Sequence, residues 1–546
     1  MNMQKTKSSC PNDFFLLLGC LLLGGVFSWL NGQDANWDLL NYHLYNSFAF
    51  VNGRFATDIM PAGIHSFLNP LLDVPLYLLI KYFNSYPQLI AFVQGFWGGA
   101  AGFMLYKICR LVFQEEKSTL PAMLSLAIGS TGSMFLCQIG LSYNEVPIAF
   151  LLCTSLYLLL IFIFQRPGRL IWAFLAAFIA GAAVGFKYTA APSVIGLTAA
   201  FFINIRQYKK PGKATLLFAL GGLLGFLLIN GYFMFQLYQA YGNPVFPFFN
   251  AVFQSPYFDP VNYEEVRFYP RSIMQTLFYP FFWALPNHWI VSEAIIADPR
   301  MALAQTAFFA LLATLFFKKS ASARTKILIK TFLVFGVVSF VLWMNIYGIL
   351  RYAVTLELIS GIFIILALRQ LLSVRNTAIA ALAVLCVLAY ATQYPDLGRE
   401  RFFPKAIQLT PQPQIEENSL VLIVGSPLSF LAPFLPESTR FIGGLKLPVS
   451  KFPKEDWAKA TQRYPLTKLY YVYHFEEPVR KAIEEHTGPI YLLTSPWERM
   501  MDPLFLAPLG LKEGAAPCQR FDANINLYVK DFVLCPLQKI SAPELL

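Results

Sequence analysis

Charge is what this chain has least of. Only 13% of its 546 residues are Asp, Glu, Lys or Arg, about half the roughly 25% of a soluble domain. Cysteine is sparse, at 8 residues, which excludes a disulfide-dense mini-protein. Histidine is rarer, at 5; His43 and His65 are far apart and lack Cys partners, so no metal-ligand spacing stands out. No nucleotide phosphate loop, Ser-His-Asp order, nucleic-acid module, internal repeat or low-complexity tract is visible. Apolar residues fill the space that charge leaves. They make up 56% of the chain, with 52 Phe and 27 Tyr. A chain this apolar is not intrinsically disordered.

The apolar residues fall into long runs. Eleven lie near residues 14–30, 88–113, 120–139, 146–164, 171–186, 190–205, 214–235, 301–317, 327–345, 352–368 and 377–392. Runs near twenty residues span a hydrocarbon core of about 30 Å as helices. The expected fold class is therefore an α-helical polytopic membrane protein with about eleven spans. The first run resembles a signal-peptide core, but no small-x-small cleavage site follows, so it reads as an uncleaved anchor.

The formal charge is +11, and its placement gives an orientation. The loops at 107–117, 166–169, 206–213, 318–330 and 369–375, with Lys5 and Lys7, hold 18 basic residues against Asp13, Glu115 and Glu116. By the positive-inside rule these loops and the N-terminus are cytoplasmic, in an inner (plasma) membrane. The opposite face carries long loops at 31–87 and 236–300 and short ones at 141–145 and 347–351. Its seven basic residues are outnumbered by 11 acids. The basic balance is thus an orientation signal, and nucleic acid is not an expected partner.

From residue 393 the composition becomes that of a soluble domain, with 17 basic and 17 acidic residues. Strands are expected at 419–424, 468–473, 489–493 and 526–533, and helices at 456–463 and 479–485. The chain divides into a membrane domain, 1–392, and a small extracytoplasmic α/β domain, 393–546. The Gly-Ser after the strand at 419–424 reads as an ordinary turn. Cys518 and Cys535 flank a strand in this domain and are expected to bridge in an oxidising compartment. The other six cysteines lie in or beside spans and read as buried thiols.

Ionisable groups near membrane depth tend to mark function. The first long loop opens with Asp34-Ala35-Asn36-Trp37-Asp38 and continues through Tyr42, His43, Arg54, Asp58, His65 and Asp73. Its apolar stretches suggest amphipathic helices lying in the interface. On a helix starting near Trp37, Asp38 and Tyr42 share a face at i, i+4. A carboxylate beside Tyr and His suits a general base for an incoming hydroxyl; either Asp34 or Asp38 alternatively caps the helix. Glu145, just before Pro147, is a second acid of this kind, or a carboxylate favourably placed at a helix N-terminus. Lys187 either snorkels or binds an anion. Arg351, next to Tyr352, either pairs with Glu357 structurally or holds a phosphate bidentately.

These residues together resemble the GT-C superfamily of integral-membrane glycosyltransferases, over residues 10–392. The resemblance rests on Trp37-Asp38-Leu39-Leu40-Asn41-Tyr42-His43, Asn69-Pro70-Leu71-Leu72-Asp73, Asn144-Glu145, Lys187-Tyr188-Thr189, Gly242-Asn243-Pro244, Asp298-Pro299-Arg300 and Arg351-Tyr352. It implies transfer of a sugar, with inversion, from a polyprenyl-phosphate carrier to a lipid or glycan acceptor of the cell envelope. It implies Asp38 as the base, with Asp34 next, and Glu145 assisting at the acceptor or at a divalent metal. It implies Arg351, with Lys187, on the carrier phosphate. Tyr42, His43, His65 and Tyr352 complete the expected substrate-binding set. The alternative is a polytopic transporter or lipid flippase.

Overall fold

The structure is a computed structural model and describes residues 10–262, 267–317, 322–444, 474–496, 506–525 and 531–540, with side chains from residue 13 onward. It is mostly helical, with a small C-terminal sheet domain. Among the described residues, eight helices are long and apolar enough to cross a membrane: Asp13–Leu30, Pro87–Val112, Glu145–Gln165, Pro211–Tyr241, Arg300–Phe317, Ala323–Ile346, Leu350–Leu371 and Val374–Ala391. Each coincides with an expected run. The other three runs form shorter apolar helices, Leu120–Ser130, Ile171–Phe186 and Tyr188–Ile203. The run at 120–139 is broken: Leu120–Ser130 stops, and Ser133–Gln138 restarts after an extended Gly132.

The chain forms two compact units. One comprises 1–32, 91–230 and 265–397; the other comprises 33–90, 231–264 and 398–546. The expected boundary near residue 393 lies close to the break at 397, but the second unit also takes in most of the first long loop and the stretch 231–264.

In the first unit, helices approach closely through small residues. A Cβ on Gly95 would sit 2.2 Å from the Gly24 carbonyl oxygen, and one on Gly99 would sit 2.1 Å from that of Cys20. This Gly-x-x-x-Gly spacing lets two apolar helices touch backbone to backbone. Other faces remain open: Leu228 is 71% exposed and Tyr390 94%, as apolar faces meant for lipid would be. The basic loops meet one another through the three acids of their set. Asp13 pairs with Lys107 (2.7 Å), Glu116 with Arg369 (2.9 Å) and Glu115 with Arg324 (3.3 Å). Loops grouped by charge in the sequence are therefore neighbours at one end of this unit.

The second unit is built on a seven-stranded sheet. Its strand Leu420–Ile423 lies between Arg440–Ile442, at the edge, and Ile490–Thr494, and runs parallel to both. Phe532–Lys539 continues the sheet antiparallel to Ile490–Thr494, pairing also with Leu511–Glu513 and Gln519–Ala523. Leu420–Ile423 is buried at every position, the pattern of a strand covered on both faces. The helix Glu476–Glu485 turns Val479, Ala482 and Ile483 inward. The expected helix at 456–463, the strand at 468–473 and residues 526–530 lie outside the described residues. Cys518 and Cys535 are joined in a disulfide.

The first long loop is not spread in an interface. Its helix Leu44–Val51 and the turn before it bury Leu39, Leu40, Leu44 and Phe48 in one core with Val421, Ile423, Phe441 and Tyr491 of the sheet. Protein, not lipid, covers these apolar side chains. A charged hub ties the same parts together. The Arg54 guanidinium donates to both Asp58 oxygens (2.8 and 2.9 Å) and to the carbonyls of Glu437 and Thr439. Asp58 also accepts from the Phe441 amide (2.9 Å) and the Tyr45 hydroxyl (2.7 Å). Burial, with the Asp58 carboxylate, holds the Tyr45 phenol well above its usual pKa, so it remains a donor.

Candidate functional site

The candidate residues fall into two clusters, one in each unit. In the second unit, Asn36 starts the helix by accepting from the Leu39 amide (2.8 Å). Asp34 braces Asn36, accepting from its amide (3.1 Å) and its side-chain nitrogen (2.6 Å). The capping role considered for Asp34 or Asp38 therefore falls to Asn36. Asp34 is half-buried in a two-residue ladder with Arg399, whereas Asp38 is buried.

Residues Leu39–His43 form a single π-helical turn, a local widening often found at functional sites. Asp38 and Tyr42 still meet as the i, i+4 spacing predicts: the Tyr42 hydroxyl donates to Asp38 Oδ2 at 3.3 Å. Tyr42 packs against His43 (4.0 Å between centroids) and stacks on His65 (4.9 Å). Trp37 meets His65 edge-on at 5.6 Å, and Asn41 bonds its Nδ1 at 3.3 Å. The structure thus brings Asp38, Tyr42, His43 and His65 together.

Asp73 completes this cluster and was missed as a site residue. Its Oδ2 lies 2.7 Å from His43 Nδ1, with both side chains buried. With the carboxylate as acceptor, Nδ1 is the donor in this pair. The buried His43 Nε2 has no hydrogen-bond partner. The Asp73 role was illegible because it stands 30 residues from His43.

In the first unit, Glu145 opens the helix Glu145–Leu160 after a left-handed Asn144 (φ 71°). Lys187, just past the helix Ile171–Phe186, donates to Glu145 Oε1 and to the Tyr143 carbonyl. It is the counter-ion of a buried acid. Its ammonium lies 5.4 Å from the Tyr352 ring centre. The Arg351 guanidinium lies 5.1 Å from the same ring and 4.7 Å from that of Tyr143. Two cations thus share Tyr352, and one of them, Lys187, pairs with Glu145. Glu145 Oε2 is buried without a hydrogen-bond partner.

Glu357 is not the partner of Arg351. It faces the restarted helix instead, accepting from the amides of Met134 (3.1 Å) and Phe135 (2.7 Å) and from Ser133 Oγ. A carboxylate at a helix N-terminus answers the unpaired amides there. Asp298 adds a bond to the Ser133 amide and pairs with Arg300 (3.0 Å). Arg300, fully buried, donates to the carbonyls of Ile128 and Thr131, which end the first half-helix. Acids meet the positive end of one half-helix, and the arginine meets the negative end of the other. The Asp298-Pro299-Arg300 motif was its only sequence signal.

Among the described residues, one trio of ligand-type atoms lies close enough to share a metal ion, Glu513 with Cys518 and Cys535. The two thiols are spent in the disulfide, so the trio does not fit a metal. Comparison with known protein families finds no match, and comparison with curated proteins finds none.

Proposed function

We propose that the chain is a GT-C-like glycosyltransferase of the plasma (inner) membrane, using a polyprenyl-phosphate sugar donor and an envelope lipid or glycan as acceptor. The observation that carries this reading is the pair of cations on one tyrosine ring. Lys187 and Arg351 at Tyr352 offer what a lipid-linked phosphate needs, a cationic and partly aromatic seat in an otherwise apolar protein. Asp38 supports it as the base: a buried carboxylate oriented by Tyr42, with His43 and His65 beside it for the acceptor. Asp34 is the weaker candidate, because its carboxylate is committed to Asn36.

In the proposed reaction, Asp38 takes the proton of the acceptor hydroxyl. The hydroxyl oxygen attacks the anomeric carbon from the face opposite the phosphate. The carbon–oxygen bond to the phosphate breaks, its electron pair leaves on the carrier phosphate, and the anomeric centre inverts. Glu145 fixes Lys187 in place and assists from there.

The membrane arrangement belongs to the same proposal. The short helices Ile171–Phe186 and Tyr188–Ile203 reach about 24 Å at 1.5 Å per residue. The broken 120–138 stretch reaches about 28 Å. All three complete eleven crossings. The basic loops and N-terminus then lie in the cytoplasm, and residues 393–546 lie outside, where a disulfide persists.

Mass spectrometry of lipid co-purifying with the protein tests the donor, and a bound polyprenyl-phosphate sugar is the expected species. Arg351→Ala should strip that lipid. Asp38→Asn should keep it and lower transfer by at least 100-fold, the lower end of a general base's contribution. Full transfer by Asp38→Asn would remove Asp38 from the mechanism.

One observation favours a second reading, a transporter or lipid flippase. Discontinuous helices with charges at their broken ends are a transporter device, and the Ser130–Ser133 break carries three buried charges. Those charges are fully hydrogen-bonded to the break itself, which suits a fixed joint better than a carrier site. Movement of lipid across vesicles without covalent transfer would decide for the flippase.

A further inference from the structure

A cleft in the second unit lies apart from the Asp38 cluster's side chains. Its walls come from the helix Leu44–Val51, the stretch 53–70 and residues 232–241 at the end of the long helix. We propose that it binds one uncharged sugar ring.

Size is the first argument. The cavity is about 160 Å³. Sites for drug-sized ligands begin near 300 Å³. One ring fits; a polyprenyl chain does not.

Charge is the second. The two charged lining residues, Arg54 and Asp58, neutralise each other, and their hydrogen bonds go to one another, to Tyr45 and to the backbone of Glu437, Thr439 and Phe441. Four of the five Arg54 N–H groups and both Asp58 oxygens are committed within the protein, so an anionic ligand is disfavoured.

The lining chemistry is the third. Phe55 meets Phe233 and Tyr241 edge-on at 5.9 and 6.1 Å, and Tyr241 meets Phe67 at 5.1 Å. Tyr232, 64% exposed, stands at the rim with its hydroxyl bonded to Gln236 (3.1 Å). Asn46 spends its amide hydrogens on the carbonyls of His65 and Leu68, and its buried Oδ1 has no hydrogen-bond partner. A pyranose has an apolar C–H face and an edge of hydroxyls. Aromatic rings take the face, and neutral amides and phenols take the edge.

The binding site stands on this lining alone; its identity as the place that holds the acceptor glycan rests on the transferase reading. Saturation-transfer NMR of the full-length protein in detergent tests it. The probes are the methyl glycosides of glucose, galactose, mannose and N-acetylglucosamine, with glucuronic acid and glucose 1-phosphate as charged comparators. At least one neutral glycoside should receive saturation, strongest on its C–H face, and the charged probes little. Tyr232→Ala, an exposed rim position that spares the fold, should weaken the signal at least fivefold; Phe55→Ala should abolish it. Asp38→Asn should leave it intact. No saturation of any neutral glycoside, equal saturation in Tyr232→Ala, or preference for a charged probe would overturn the site. Sugar binding without any transferase activity would sink the transferase reading and leave the pocket standing. Transfer without binding would do the reverse.

Discussion

At the scale of single residues, the costliest commitments are charges buried with their partners. Asp58→Ala would leave the Arg54 guanidinium enclosed between the Phe48 and Phe441 rings (5.3 and 5.4 Å) without its carboxylate. Removing one partner of a buried pair costs about 3–5 kcal/mol. The variant should show a correspondingly lowered unfolding midpoint in detergent. Replacing Cys518 by Ser should cost about 3 kcal/mol, from the loss of a bridge across 17 residues. Non-reducing peptide mapping checks the bridge first; two free thiols would contradict it. Residues whose partners lie within a turn were legible in the sequence: Asp38 and Tyr42 meet because a helical turn spaces them so. Partners brought in from far along the chain were not. Asp73 for His43, Lys187 for Glu145 and the Ser133 turn for Glu357 depend on packing that no local pattern encodes. The Arg351–Glu357 pairing failed for that reason, being inferred from neighbourhood along one helix.

At the scale of elements, apolar run length found the helices and missed the joint in one of them. Residues 120–139 carry no charge and no proline beyond the first turn, so the one local sign of a stop is the run Gly129-Ser130-Thr131-Gly132-Ser133. The joint is made from outside by Glu357, Asp298 and Arg300, and it needs the bare Gly132. A Cβ there would lie 2.2 Å from the Glu357 carboxyl carbon. Gly132→Ala should therefore displace Glu357 and destabilise the protein by about 1–3 kcal/mol, the usual range for overpacking. Glu357→Gln, which keeps shape and loses charge, should cost less than Glu357→Ala, which orphans the Met134 and Phe135 amides. Thermal midpoints of the three variants in one detergent test this order; Gln as damaging as Ala would mean that charge, not hydrogen bonding, holds the joint.

At the scale of the whole molecule, the composition shift near residue 393 falls close to one break between the compact units, while the second unit also takes in 33–90 and 231–264. The loop at 31–87 looked interfacial because its apolar stretches had no visible protein partner. The partner is the sheet, more than 300 residues later. Removing residues 398–546 should therefore not release an intact membrane domain. It would uncover Leu39, Leu44 and Phe48, at about 1.5–3 kcal/mol for each side chain. The truncated protein should aggregate on size exclusion and lose its protected trypsin fragments. A monodisperse truncation product would contradict the shared core. This division also imposes an order in time. Residues 33–90 leave the ribosome long before the strand at Leu420–Ile423, and at 5–20 residues per second the gap is roughly 15–60 s. Through that interval an adhesive half-core must wait beside a growing chain, uncovered until the last quarter of the protein is made.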